Sequence, residues 1–183
     1  GVQTISCTAS ADMGDSDDIL TIGEYDGGGE PYWGYIDELR IVKGTAVYTA
    51  NFTPPTSRLT AITNTKLLIH SNLAGGGSSF SGYNTFTDSN TQVTAKTITS
   101  TNVIHSTLYN HAESTVVYLD GTGDYLTVGA GEGPFDIWSV DWWMYPTRTD
   151  TSYIFDFRDT GRTSNVRCRQ EVNGAGVKIV FES

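Results

Sequence analysis

Gly34-Tyr35-Ile36-Asp37-Glu38-Leu39-Arg40-Ile41, running on to Tyr48-Thr49-Ala50-Asn51-Phe52-Thr53-Pro54-Pro55, is the stretch that decides the fold. Its apolar residues alternate with a period of two, which is the period of a half-buried strand. Between Ile36 and Leu39 the alternation slips by one residue. Asp37 and Glu38 sit at the slip, where a β-bulge is expected. Thr53-Pro54-Pro55-Thr56 cannot extend the ladder, because the two prolines lack N–H donors. The boundary therefore falls here. Residues 1–57 form one unit, residues 64–183 a second, and residues 58–63 a linker.

Outward from this stretch the same pattern repeats. Strands are expected at Val2–Ser6, Ile19–Ile22, Gly34–Val42, Lys66–His70, Val93–Ile98, Val103–His105, Thr115–Leu119, Tyr125–Val128, Trp138–Tyr145, Tyr153–Arg158, Val166–Glu171 and Val177–Phe181. Gly, Asn, Asp and Pro break them every ~8–12 residues, as in a sandwich or barrel. Only Ala112–Val116 has the makings of a helical turn. In Trp138–Tyr145 both faces carry large rings, which predicts a central strand covered on both sides. In Val177–Phe181 one face is apolar, which predicts a half-buried strand.

Composition narrows the function. With 11 basic and 21 acidic residues, the net charge is -10. Phosphate backbones require clustered Lys and Arg, so a nucleic-acid partner is not expected. No apolar run approaches the ~20 residues of a membrane-spanning helix. Cys7 and Cys168 are too few for a disulfide framework and have no metal-type spacing. His70, His105 and His111 show no zinc or triad spacing either, and surface positions are expected for them. The acidic loop Asp12, Asp15, Asp17 and Asp18 lacks the glycine and distal glutamate of an EF-hand.

Two long motifs carry a resemblance. One is Gly34–Ile41 with Leu20-Thr21-Ile22-Gly23 before it and Ala50–Pro55 after it. The other is Val117-Tyr118-Leu119-Asp120-Gly121-Thr122-Gly123-Asp124-Tyr125-Leu126, with Thr65–His70 before it and Ser139–Pro146 after it. The chain resembles the laminin G-like, or concanavalin A-like lectin/glucanase, jelly-roll family, in the tandem form found in phage virion and bacterial surface proteins. The resemblance implies an all-β antiparallel sandwich. It also implies an inverted order: residues 1–57 are similar to the closing strands of such a domain, and residues 64–183 to its opening strands. The family's middle strands have no counterpart here. Two arrangements would complete the sheets. The closing strands fold back onto residues 64–183 as a permuted domain, or strands from neighbouring chains or other residues complete each half. Completion from outside the chain is the favoured expectation.

The candidate sites follow. Asp120 and Asp124, spaced by turn glycines, are the best candidate for a Ca2+ site, since calcium takes several oxygen ligands. Asp37 would join them if the closing strand packs beside that loop. Relatives in the wider group often bind calcium, which implies the same cofactor here. The competing reading is a tight turn whose carboxylates accept backbone N–H groups. Trp33, Tyr32 and Tyr35 are candidate ligand-binding aromatics that would stack on sugar rings. Glycosidases need two carboxylates facing one groove. The Glu-x-Asp-x-x-Glu pattern of glucanases with this fold is absent, so catalysis is not expected.

The function expected is a non-catalytic structural or adhesive module of a repeat-built extracellular or virion-surface fibre. Its partners would be other copies or neighbouring repeats, and a cell-surface glycan. The alternative is a carbohydrate-binding module of a secreted glycoside hydrolase.

Overall fold

The computed structural model describes residues 19–25, 28–71, 84–109, 111, 115–129, 138–158, 165–174 and 176–182. Their regular structure is all strand: β1 Ile19–Ile22, β2 Trp33–Lys43, β3 Thr65–Ile69, β4 Ile98–Thr101, β5 Ile104–Ser106, β6 Val116–Asp120, β7 Tyr125–Val128, β8 Trp138–Pro146, β9 Ser152–Arg158, β10 Asn165–Asn173 and β11 Gly176–Glu182. They form two antiparallel sheets packed as a sandwich. The first runs β11-β10-β9-β1-β7-β4. In the second, β2 is the spine. One edge of β2 pairs with β6 over Trp33–Ile36 and with β3 over Leu39–Val42, and β5 lies beyond β6. The other edge pairs with β8 along nearly its whole length.

The two segments on either side of residues 58–63 are interleaved. β1 lies between β9 and β7, and β2 lies between β8 and the β3/β6 pair. The described strands of residues 1–57 thus lie within the sheets built by residues 64–183 of the same chain. Residues 58–63 cross the outside of the second sheet. Leu59 is buried there, its N–H donates to Glu38 Oε2 at 2.5 Å, and the Thr60 carbonyl accepts from the Arg40 guanidinium at 3.0 Å.

The core lies between the sheets. Leu20 and Ile22 of β1, Ile36, Leu39 and Ile41 of β2, Leu119 of β6, Leu126 of β7 and Phe155 of β9 are all buried in it. Burying each such side chain contributes roughly 1.5–3 kcal/mol. The bulge in β2 lies where the alternation slips. The β2–β8 register jumps between Asp37 and Arg40, and Glu38 has φ +52°. The extra residue keeps Ile36 and Leu39 both facing the core, which a regular strand could not do.

Several expectations need correction. β8 is an edge strand among the described residues, paired only with β2, and every residue in it is at least partly exposed. Rings on both faces therefore did not mean a central strand. The strand expected at Val93–Ile98 starts at Ile98 and runs on to Thr101. His70 and His105 are buried, not on the surface, because each finds hydrogen-bond partners inside. Cys168 is a free, buried thiol. Val2–Ser6, Cys7, the acidic residues from Asp12 to Asp18, and most of Ala112–Val116 lie outside the described residues.

Candidate ligand-binding face

The outer face of the second sheet gathers the polar and aromatic residues of β2, β6 and β8. Register makes the first row. Tyr35 of β2 is opposite Tyr118 of β6 on one side and Tyr145 of β8 on the other. Side chains alternate across a strand, and Ile36, Val117, Leu119 and Met144 face the core, so the three tyrosines face outward. Tyr109 arrives from the loop after β5. Its ring stacks on Tyr145 at 3.9 Å and 12°, and lies 4.9 Å from Tyr35. Tyr35 is also 4.9 Å from Tyr118. Tyr35 is buried by its neighbours, whereas Tyr109 is 54% and Tyr145 47% exposed. The result is a tyrosine shelf with a buried root and an open edge.

The next row is Asp37 opposite Trp143. The His111 ring stacks on Trp143 at 3.7 Å, and its Nε2 lies 3.0 Å from the Pro55 carbonyl. Asp37 accepts the N–H groups of Glu38 (2.9 Å) and His111 (3.1 Å). Burial pushes its pKa up to about 6, with the Glu38 carboxylate adding to the rise against the pull of those donors. Glu38 is fully buried and meets His70 Nδ1 at 3.0 Å. Farther along, Arg40 holds Asp141 at 2.9 Å. Segment 58–63 meets this end of the face through Leu59 and Thr60, whereas Tyr109 and Tyr145 at the other end stay about half exposed.

Asp37 and Glu38 are engaged by internal donors. The void beside Asp37, lined by Ile22, Ile36, Leu39, Ile69, Val117 and Leu126, holds about 10 Å³. That is room for about one water, against the roughly 300–1,000 Å³ of a small-molecule cleft.

The expected residues are placed as follows. Asp120 and Asp124 share a tight turn. Asp124 Oδ2 accepts the Asp120 N–H at 2.6 Å, and Asp120 Oδ1 accepts the Thr122 N–H at 2.8 Å. Asp37 is not brought to them. It lies four residues along β2 from Trp33, the register partner of Asp120, or roughly 13 Å at strand rise. Among the described residues no three His, Cys, Asp or Glu side chains converge as a metal site. The two turn carboxylates fall short of the six to eight oxygens that calcium takes, unless carbonyls and water supply the others. Tyr32 is fully buried and Tyr35 nearly so. Trp33 is half-buried against the Gly121 turn, with the Arg148 guanidinium 3.8 Å from its ring centroid.

Tyr109, Tyr118, Tyr145 and Trp143 were not among the expected ligand residues. The alternation around Trp143 and Tyr145 could have marked them, but their meeting depends on the register of three strands that are distant in sequence. No family model, curated protein or solved structure matches this chain.

Proposed function

We propose that the chain is a non-catalytic structural or adhesive jelly-roll module, of the laminin G-like kind, from a repeat-built extracellular or virion fibre, and that it holds a glycan on the Tyr109–Tyr145 shelf. The observation that carries this reading is the shelf itself. Two stacked tyrosines stand about half exposed over a buried base of Tyr35, with phenol groups beside flat apolar ring faces. A sugar ring presents axial C–H groups and hydroxyls, which match ring faces and phenol oxygens respectively. The internal use of Asp37 and Glu38 supports a binding role over a hydrolytic one.

A glycan array probed with the intact chain and with Tyr109→Ala and Tyr145→Ala tests the proposal. Binding by the parent that falls at least tenfold in both variants, with melting curves little changed, supports it. Binding that survives both substitutions, or no binding to any glycan, refutes the glycan assignment. A carbohydrate-binding module of a secreted hydrolase would use the same shelf. A catalytic domain in the flanking reading frame would distinguish it from a fibre.

A further inference from the structure

The open edge of the tyrosine shelf has a geometry that the other tyrosine contacts lack. Tyr109 and Tyr145 stack face to face, with 3.9 Å between centroids and 12° between planes. Their phenol groups share a hydrogen bond. Both oxygens therefore lie at the same end of the stack, and the carbons ortho to one oxygen lie over those ortho to the other. The other tyrosine pairs among the described residues are tilted or edge-on. Tyr35 meets Tyr109, Tyr118 and Tyr145 at 53°, 33° and 63°, and Tyr25 meets Tyr153 at 43°. Each of those pairs includes a buried ring, Tyr35 or Tyr153, whereas Tyr109 and Tyr145 are both about half exposed. The backbone bends to make the stack. Tyr109 has φ +58°, a left-handed conformation that a bulky residue adopts only at a cost. The turn before it is pinned by the Ser106 hydroxyl, which accepts the Leu108 N–H at 3.1 Å. The contact spans the sheet, because Tyr109 follows β5, beyond β6, and Tyr145 belongs to β8 on the opposite edge of β2.

We propose that Tyr109 and Tyr145 are a covalent modification site, at which a one-electron oxidant of the haem-peroxidase class joins the two rings into a dityrosine staple within the chain. Each phenol gives up one electron and its O–H proton. The phenoxyl radical left behind shares its unpaired spin with the ortho carbons. One ortho carbon from each ring meets the other, and the two unpaired electrons become a C–C bond. The hydrogen on each of those carbons then passes to its own ring's oxygen, which restores both phenols. The chain loses two hydrogen atoms in all. One hydrogen peroxide accepts the two electrons and two protons and leaves as two waters. Rings already in contact need only a swing about their side-chain bonds to reach bonding distance, and half-exposed rings have room to make it. Among the described residues β8 pairs only with β2. The staple fixes β8 to the loop after β5 as well, and it closes the chain between positions 109 and 145, which restricts the unfolded state. The proposal rests on ring geometry and not on a bound glycan.

Treating the intact 183-residue chain with a haem peroxidase and one equivalent of hydrogen peroxide, without any sugar, tests this. The intact mass is expected to fall by two hydrogens, dityrosine emission to appear, and peptide mapping to join Tyr109 to Tyr145. Because the link lies within one chain, its yield should not change over a roughly hundredfold dilution of the protein. Tyr109→Phe and Tyr145→Phe each keep the stacked ring and remove one phenol, and each is expected to lower the yield at least tenfold. Tyr125→Phe, on β7 of the other sheet, should leave it unchanged. The stapled chain is expected to melt roughly 5–10 °C above the untreated one. Links formed only between chains, a predominant link at another tyrosine, oxygen added with no link, a melting temperature that does not rise, or phenylalanine variants that link as the parent does would overturn the proposal. If either variant fails to fold, the peptide map of the parent decides.

Discussion

The buried Glu38 carboxylate meets the His70 ring at Nδ1, with its two oxygens 3.0 and 3.1 Å away. Glu38 is the bulge residue of β2, His70 follows β3, and the same carboxylate accepts the Leu59 N–H. One side chain thus ties the spine of the sheet, its neighbour and the segment that crosses it. Glu38→Ala strands two buried donors, and a buried donor left unsatisfied costs about 1–3 kcal/mol. Urea unfolding followed by tryptophan fluorescence should show a loss in that range. A loss under about 1 kcal/mol would mean that the three segments are held by packing alone.

Stability should fall as pH rises from about 4 to about 6. Folded Asp37 keeps its proton until about pH 6, whereas the ordinary value is 3.8. Between these values the folded state binds more protons than the unfolded chain, so raising the pH favours unfolding. The contribution is complete below about pH 3.8 and gone above about pH 6. A rise of roughly two units corresponds to about 3 kcal/mol. Burial raises Asp124 and Asp141 as well, with the same sign. Urea midpoints at pH 4, 5, 6 and 7 check this. A midpoint that climbs across the window would contradict it.

Gly34 and Gly123 should respond very differently to alanine. A Cβ on Gly34 would lie 2.3 Å from the Tyr145 carbonyl oxygen, at φ +149°. Neither the backbone of β8 nor the conformation can yield cheaply, so Gly34→Ala should cost more than about 3 kcal/mol or prevent folding. Gly123 has φ +71° with open space around its Cβ position, so Gly123→Ala should cost only about 1–2 kcal/mol. Thermal melts of both variants settle the order, and equal losses would falsify the steric argument at Gly34.

Asp124 caps its turn through the Asp120 N–H. Asp124→Ala should remove about 1–2 kcal/mol. If capping is its whole role, millimolar Ca2+ or a chelator leaves the melting temperature of the parent unchanged. A rise with Ca2+ that Asp124→Ala abolishes would instead establish a calcium site in this turn.

The sequence by itself determined most of the described strands and the bulge, though not the strand at Ile98–Thr101. Alternation with period two, broken by Gly, Asn, Asp and Pro, is a local signal, and a slip from Ile36 to Leu39 has one cheap solution. It also determined the absence of a strand through Pro54 and Pro55, because proline removes a donor wherever it falls. Only the tertiary structure decided which strands are neighbours. Tyr35, Tyr118 and Tyr145 share a row because β2 pairs with both β6 and β8. No local pattern encodes that distance of about a hundred residues. The same holds for His70, whose burial is tolerable only because Glu38 lies on the next strand. It holds for β8, whose rings on both faces looked central until pairing left it at an edge. Local geometry writes itself into short sequence periods, whereas register and edge position depend on the whole chain's competition for partners.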